Sequence, residues 1–146
     1  EKFDIVIVAA AVSDYGLPFT EGKISSDQDE ITIKLRRLPK VITKIKEWNP
    51  GCIQIGFKLL SNVTEETLLK TAIESGKKSG SDFTIANDLG RKNAGDHFVY
   101  LIDSDWECVA VRQSVNTQTQ VDRFVNQIME AINLQFDTHL VKRVKP

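Results

Sequence analysis

Three apolar runs in the sequence predict buried β-strands. The first run spans residues 5–8 and is followed by small residues, the second spans residues 52–57, and the third spans residues 82–88. Short apolar runs rich in β-branched residues are typical of strands in a parallel sheet that is covered on both faces. We therefore predict that all three strands lie in the core of one sheet.

The segments between these strands have the periodicity of helices. The apolar residues of segment 38–48 recur at the spacing of one helical face, at Val41, Ile42, Ile45 and Trp48. In segment 61–80, Thr64 is the predicted N-cap because two glutamates follow it, and Gly80 ends the segment after two lysines. We predict one helix in each segment.

The remaining elements continue this alternation. Residues 31–35 alternate apolar and polar side chains, which predicts a half-exposed strand. Residues 97–103 and 106–112 predict two strands joined by a short turn at Ser104 and Asp105. The segment from about 117 to 136 predicts a final helix, with inward positions at Val121, Phe124, Val125, Ile128, Ile132 and Leu134.

This order of elements predicts an α/β protein with a Rossmann-like three-layer fold. The expected fold has a mostly parallel sheet, helices on both faces, and a C-terminal β-hairpin plus helix. The chain has 146 residues, of which 41% are hydrophobic and 27% are charged, and this composition suits one compact domain. We assign residues 1–136 to that domain and residues 137–146 to a basic tail.

Charge and cysteine content exclude several classes of function. The formal net charge of -1 gives no general electrostatic basis for binding nucleic acid, and the basic tail is better explained as a solvated terminus. The opening apolar run is too short to cross a bilayer, so we predict no membrane partner and a cytoplasmic location. Cys52 and Cys108 have no second Cys or His at metal-ligand spacing, which favours buried, reduced thiols.

The residues that follow the three core strands are the candidate site. Asp14 follows the first strand, Phe57 and Lys58 end the second, and Asn87 and Asp88 end the third. Carboxyl ends of parallel strands share one edge of a sheet, where α/β proteins hold ligands, so we expect these residues to converge. Lys23 follows Asp14 in the predicted loop after the first strand, and the two residues together could hold an anionic substrate. The alternative is that Asp14 is a turn residue and Lys58 a surface lysine.

Five ordered motifs carry a resemblance to a known family. They are AAVSDY at 10–15, EGKIS at 21–25, LPKV at 38–41, IGFKLL at 55–60 and IANDL at 85–89. Together they resemble phosphopantothenoylcysteine synthetase, also called phosphopantothenate-cysteine ligase, over residues 3–134. The resemblance implies that CTP or ATP activates the carboxylate of 4'-phosphopantothenate as an acyl-nucleotide, and that L-cysteine then displaces the nucleotide. It also implies Mg2+, a role in coenzyme A biosynthesis and a homodimer, whereas the metal ligands stay open.

The resemblance also assigns roles to individual residues. Ala10, Ala11 and Asp14 match the segment that contacts phosphopantothenate, and Lys23 matches a lysine needed in catalysis. The residues expected to bind the nucleotide are Lys40, Phe57, Lys58, Asn87 and Asp88. A solvated helix lysine is an equally good interpretation of Lys40.

One departure from the family pattern concerns the start of the chain. Members carry a glycine-rich nucleotide-binding segment and an Asn-containing loop upstream of the first strand, and this sequence opens at that strand. We therefore expect the carboxyl-terminal portion of a ligase. The alternative function is a non-catalytic α/β nucleotide-binding or interaction module. A dehydrogenase-like Rossmann domain is disfavoured because no G-x-G-x-x-G motif follows a strand.

Overall fold

A computed structural model describes residues 3–19, 21–24, 27, 29–91, 96–114, 118–119, 122–123, 125–130 and 132–133. Its elements, in chain order, are β1 (Ile5–Val8), β2 (Tyr15–Gly16), β3 (Arg36–Arg37), α1 (Ile42–Trp48), β4 (Ile53–Leu60), α2 (Glu65–Ser79), β5 (Phe83–Asp88), β6 (Asp96–Ile102) and β7 (Cys108–Ser114). A 3-10 turn at Leu89–Arg91 follows β5. The described residues between 118 and 133 are helical.

The main sheet has the strand order β1-β4-β5-β6-β7. β1 pairs with β4 in parallel, and β4 pairs with β5 in parallel. The pairings of β5 with β6 and of β6 with β7 are antiparallel. Within the described residues, four of the five strands therefore run in one direction and β6 opposes them. The predicted α/β fold with a mostly parallel sheet and a C-terminal hairpin is confirmed.

Helical residues cover the main sheet on both faces. On one face, Leu68 and Ala72 of α2 pack with Ala86, Tyr100 and Ile102 of the sheet. The other face has a second core, in which a residue from the C-terminal helical region joins residues of β4, β5 and β6: Ile55, Phe83, Ile85, Val99, Leu101 and Ile132. Side chains of successive residues in a strand point to opposite faces, and β5 fills both cores in this way. The three-layer arrangement is therefore confirmed.

The ends of α2 follow the sequence signals. The Thr64 side chain accepts a hydrogen bond from the Thr67 backbone N–H at 3.2 Å and so caps the first turn. Gly80 takes a left-handed conformation with φ of 68°, which a residue without Cβ adopts at little cost. Leu68 and Ala72 between these ends are fully buried, and burying a leucine side chain contributes about 1.5–3 kcal/mol.

The first strand is less buried than predicted. The side chains of Ile5 and Ile7 in β1 are 37% and 54% exposed. β1 lies at the edge of the sheet and pairs on one side with β4. The prediction that this strand is buried on both faces is wrong, because an apolar run resembles a central strand even when it lies at an edge.

The predicted strand at residues 31–35 is also wrong. These residues form no strand, and the short strand β3 follows them and pairs with β2 in an antiparallel two-residue ladder. The alternating residues Ile31, Ile33 and Leu35 are 47%, 55% and 55% exposed. Alternation predicts a strand only where a sheet covers one face, and no such cover is present among the described residues.

Some side chains predicted to face inward are exposed. Val41 and Trp48, at the two ends of the first helical segment, are 48% and 68% exposed, and Val125 is 48% exposed. Ile128 and Ile132 do pack against the sheet core as predicted. The other inward positions predicted for this segment, Val121, Phe124 and Leu134, lie outside the described residues.

One of the two cysteines is also misassigned. Cys52 is buried as predicted, whereas Cys108 is exposed at the start of β7.

No helix of the described residues is long and apolar enough to span a bilayer. The tail at residues 137–146 lies outside the described residues.

Candidate functional site

A cleft of about 540 Å³ lies at the carboxyl ends of β1 and β4. Its walls come from the segment after β1, the start of α1, the second half of β4 and one residue of α2. The lining residues are Val8, Ala10, Ala11, Val12, Ser13, Asp14, Pro39, Lys40, Val41, Ile42, Phe57, Lys58, Leu59 and Ser75. Six of the nine predicted site residues are in this set, so the predicted convergence is found for the first two strands.

The segment after β1 is tied to the residues that precede α1. The backbone carbonyl of Asp14 accepts a hydrogen bond from the Leu38 N–H at 2.9 Å. Two residues further on, the Nζ of Lys40 lies 3.2 Å from Oδ1 of Asp14, and about half of each side chain is exposed. A residue predicted to contact substrate and a residue predicted to contact nucleotide therefore form an ion pair in the cleft.

Close packing of α1 on β4 brings Lys40 to the cleft. A Cβ at Gly56 would lie 3.3 Å from Cδ1 of Ile42 and 3.0 Å from Oγ of Ser81. The glycine leaves room for Ile42 at the start of the helix, so a larger residue there would push α1 away. The carbonyl of Lys40 also accepts hydrogen bonds from the N–H and the hydroxyl of Thr43, at 3.2 and 2.8 Å.

β4 contributes an aromatic ring and a second cation. Phe57 is 42% exposed, and it lines the cleft from the second half of β4. Lys58 is partly buried and lies opposite Ala86 of β5 in the parallel ladder. The cleft thus combines the cations Lys40 and Lys58, the carboxylate of Asp14 and an exposed phenyl ring.

The end of β5 is not part of the cleft wall. Asn87 is partly buried and lies opposite Leu59, which does line the cleft. Asp88 is 6% exposed, and its carboxylate accepts hydrogen bonds from the backbone amides of Asn62, Val63 and Gly90. These two predicted site residues therefore lie next to the cleft rather than in its wall.

Lys23 lies apart from the residues that form the cleft. It is exposed, in the long segment between β2 and β3, and is not among the lining residues.

The Ser75 side of the cleft was missed by sequence reasoning. The sequence does contain a signal for Ser75, because this residue adjoins the stripe of buried residues on α2, which consists of Leu68, Ala72, Gly76 and Ser79.

The fold is that of a Rossmann-like α/β protein, and the cleft lies at the carboxyl edge of its parallel strands, where open α/β sheets hold ligands. Residues 1–132 match the model of the DNA/pantothenate metabolism flavoprotein C-terminal domain family. The chain belongs to that family. The family resemblance predicted from the five motifs is confirmed.

Named relatives and a solved structure agree with this assignment. The chain is 39% identical to the coenzyme A biosynthesis bifunctional protein CoaBC of Methanocaldococcus jannaschii over 104 residues, which are 70% of this chain and 26% of that protein. It is 34% identical to phosphopantothenate–cysteine ligase 1 of Arabidopsis thaliana over 86 residues, 56% of this chain and 26% of that protein. The chain thus spans about a quarter of the length of these relatives.

The DNA/pantothenate metabolism flavoprotein of Streptococcus pneumoniae is similar in structure. It superposes with a TM-score of 0.72 and 28% sequence identity, covering 89% of this chain and 64% of the other. The likeness therefore extends through almost all of this chain.

Proposed function

We propose that this chain supplies part of the site in a cytoplasmic ligase that joins L-cysteine to 4'-phosphopantothenate in coenzyme A biosynthesis. The reaction runs through an acyl-nucleotide formed from CTP or ATP. The observation that carries the proposal is the cleft in which Asp14, Lys40 and Lys58 meet, in a chain of this family.

The charges in the cleft suit the activation step. A carboxylate must attack a nucleoside triphosphate, so two anions have to approach each other. Lys40 and Lys58 line the cleft and would reduce that repulsion by binding phosphate oxygens. Ala10 and Ala11 leave backbone groups accessible at the end of β1, where the phosphopantothenate chain would lie.

Two further residues complete the assignment. The exposed ring of Phe57 offers a surface on which the nucleotide base would stack, with Asn87 nearby as a polar partner. Lys23 lies on an exposed segment, and we assign it to the acyl-nucleotide, which it would reach by movement of that segment. Its ammonium group would then follow the negative charge from carboxylate to phosphate.

The cleft also fits the Mg2+ that accompanies a nucleoside triphosphate. No group of three His, Cys, Asp or Glu side chains among the described residues could hold a metal by itself. Mg2+ in nucleotide sites is commonly held by one or two carboxylates together with substrate phosphates, and Asp14 supplies one such carboxylate. When bound there, Mg2+ would neutralise phosphate charge.

A homodimer is part of the proposal. The segment between β2 and β3 exposes a series of large apolar side chains: Leu17, Phe19, Ile24, Ile31, Ile33 and Leu35. Phe19 is 93% exposed, and an apolar series of this kind marks a surface that associates with a partner. Light scattering on the chain should give twice the monomer mass, and Phe19→Ser should lower it.

Isothermal titration of the chain with MgCTP, MgATP and 4'-phosphopantothenate tests the proposal. We expect binding of 4'-phosphopantothenate and of one nucleotide in preference to the other. Lys58→Met should weaken nucleotide binding by about tenfold, since it removes a charge-assisted contact. Lys70→Met removes the same charge from an exposed position on α2 and should leave binding unchanged. Binding of nucleotide without 4'-phosphopantothenate would instead favour the non-catalytic nucleotide-binding module.

A further inference from the structure

Asp88 holds together the two chain segments that leave the carboxyl ends of β4 and β5. Its Oδ1 accepts hydrogen bonds from the backbone N–H groups of Asn62 and Gly90, both at 2.8 Å. Its Oδ2 accepts one from the N–H of Val63 at 2.9 Å. A buried carboxylate that accepts several amide hydrogen bonds is a strong local constraint on the backbone. We call Asp88, Asn62, Val63 and Gly90 the carboxylate clasp.

The backbone geometry of the carboxylate clasp is specific. Asn62 has a positive φ of 56°, in the left-handed region that asparagine tolerates better than most non-glycine residues. A Cβ at Gly90 would lie 2.9 Å from the backbone nitrogen of Asn62 and closer still to its side chain. Because the two segments touch at this point, only glycine fits there without a shift of the backbone.

The carboxylate clasp lies directly beside the residues that form the cleft. Leu60 pairs with Asp88 in the last step of the β4 and β5 ladder, two residues after Lys58. On the other side of the clasp, Thr64 caps α2, which carries Ser75 to the cleft. Asp88 therefore holds the backbone of Asn62 and Val63, which link the end of β4 to the N-cap of α2, and both elements line the cleft.

We propose that Asp88 is a positioning residue that acts on the nucleotide through Lys58 and Phe57 and does not touch it. This inference rests on the proposed function, and it gives Asp88 a different role from the direct nucleotide contact that the family resemblance implies. The carboxylate accepts three hydrogen bonds from backbone amides and is not among the residues that line the cleft, whereas the lining cations Lys40 and Lys58 would meet phosphate.

Nucleotide titrations of single and double variants test this role. Asp88→Asn removes acceptor capacity from the clasp, and Gly90→Ala disrupts it without any change of charge. Each should weaken the binding of the nucleotide that the wild-type chain prefers, MgCTP or MgATP, by about tenfold. The double variant should bind the nucleotide no more weakly than either single variant does, because both substitutions disrupt the same carboxylate clasp. If Asp88→Asn weakens nucleotide binding and Gly90→Ala does not, Asp88 contacts the nucleotide directly and the proposal is wrong. The proposal is also wrong if neither variant weakens nucleotide binding.

Asp82 provides a matched control at the opposite end of β5. Its Oδ2 accepts hydrogen bonds from the Gln54 N–H, at 2.7 Å, and from Lys46 Nζ, away from the cleft. Asp82→Asn should therefore lower the melting temperature and leave nucleotide affinity unchanged. If it weakens nucleotide binding as much as Asp88→Asn does, the loss reflects general stability and the positioning role is wrong.

Amide hydrogen exchange separates this inference from the proposed function. In Asp88→Asn, the amides of Asn62, Val63 and Gly90 should exchange faster, and so should those of Lys58 and Leu59, whereas Asp82→Asn should leave all of them protected. A wild-type chain that binds neither nucleotide would count against the proposed function. In that case the exchange rates would still test whether the carboxylate clasp positions Lys58. Unchanged exchange of the Lys58 amide in Asp88→Asn would show that it does not.

Discussion

The Nζ atom of Lys40 lies 3.2 Å from Oδ1 of Asp14, and this ion pair joins the segment after β1 to the start of α1. About half of each side chain is exposed, so the pair contributes only about 0–1 kcal/mol to the stability of the fold. Under the proposed function, an incoming phosphate would compete with Asp14 for Lys40.

The first prediction concerns Asp14. In the complete enzyme, Asp14→Asn should lower kcat/KM for 4'-phosphopantothenate on the order of 10- to 1000-fold, because a charged partner for substrate and Lys40 is lost. The melting temperature should change little, since the pair is exposed. Glu74→Gln removes one negative charge from the exposed face of α2 and serves as the control in the same kinetic assay. A loss of activity that follows a loss of folded protein would make Asp14 a turn residue only.

The second prediction concerns Lys23. If it serves the acyl-nucleotide, Lys23→Gln in the complete enzyme should abolish the release of pyrophosphate with 4'-phosphopantothenate, L-cysteine, Mg2+ and the preferred nucleotide. The melting temperature should stay within the small range of surface substitutions. Lys34→Gln makes the same change in the same exposed segment and should retain wild-type turnover. Near-normal turnover of Lys23→Gln would remove this lysine from the mechanism.

The third prediction concerns the contact of α2 with the sheet. A Cβ at Gly76 would lie 2.6 Å from Oγ1 of Thr84 and 3.1 Å from Cζ3 of Trp106. Gly76→Ala should therefore lower the free energy of unfolding by about 1–3 kcal/mol, although alanine is the better helix former. Urea unfolding measures the change.

Gly51→Ala is the control for that experiment. The nearest atom to a Cβ at Gly51 is Oδ1 of Asn49 at 4.0 Å, so we expect a change within about 0.5 kcal/mol. Equal stability of the two variants would contradict the close packing of α2 on β5.

The fourth prediction concerns the reactivity of Cys108. Partial burial of its sulfur, although the residue as a whole is exposed, raises the pKa of this thiol above its ordinary value of 9.0, and the carboxylates of Glu65 and Asp103 raise it further. Less thiolate is present at pH 8–9 than in a free peptide, so iodoacetamide should modify Cys108 more slowly than it modifies the denatured chain. Glu65→Gln should speed the reaction, because one of the repelling charges is lost. An unchanged rate would exclude the contribution of Glu65.

The same pKa shift has a consequence for stability. The folded chain holds the Cys108 proton more tightly than the unfolded chain does, so this contribution is complete below the pKa of the unfolded thiol. It is lost as the pH rises from that value through the higher folded pKa. As the pH rises through this range, the free energy of unfolding should therefore fall less in Cys108→Ser than in the wild-type chain.

Local sequence signals predicted the central elements of the fold. Thr64 and Gly80 mark the ends of α2, and the apolar run at β5 gives a strand with both faces buried. These elements are recoverable because the signals for caps and for full burial depend on neighbouring residues.

Features that depend on the rest of the fold were not recoverable from the sequence. Ile5 and Ile7 have the pattern of a central strand, and only the sheet order shows that their strand lies at an edge. The family resemblance assigned Asp14 to the substrate and Lys40 to the nucleotide, with a solvated lysine as an equal alternative, but their ion pair depends on the packing of α1 against Gly56. The burial of Asp88 against backbone amides has no signal in the spacing of residues, because those amides belong to two loops.

Nuclear magnetic resonance titration tests most directly whether the cleft at the carboxyl edge of β1 and β4 is the ligand site. The 15N-labelled chain would be titrated with 4'-phosphopantothenate and with MgCTP or MgATP. We expect 4'-phosphopantothenate to shift the amides of Ala10, Ala11 and Asp14, and the nucleotide to shift those of Lys40 and Lys58. The amides of Lys46, Gln54 and Asp82, at the opposite edge of the sheet, should not move. Shifts confined to that opposite edge, or no shifts with any of the three ligands, would contradict the assignment of the cleft.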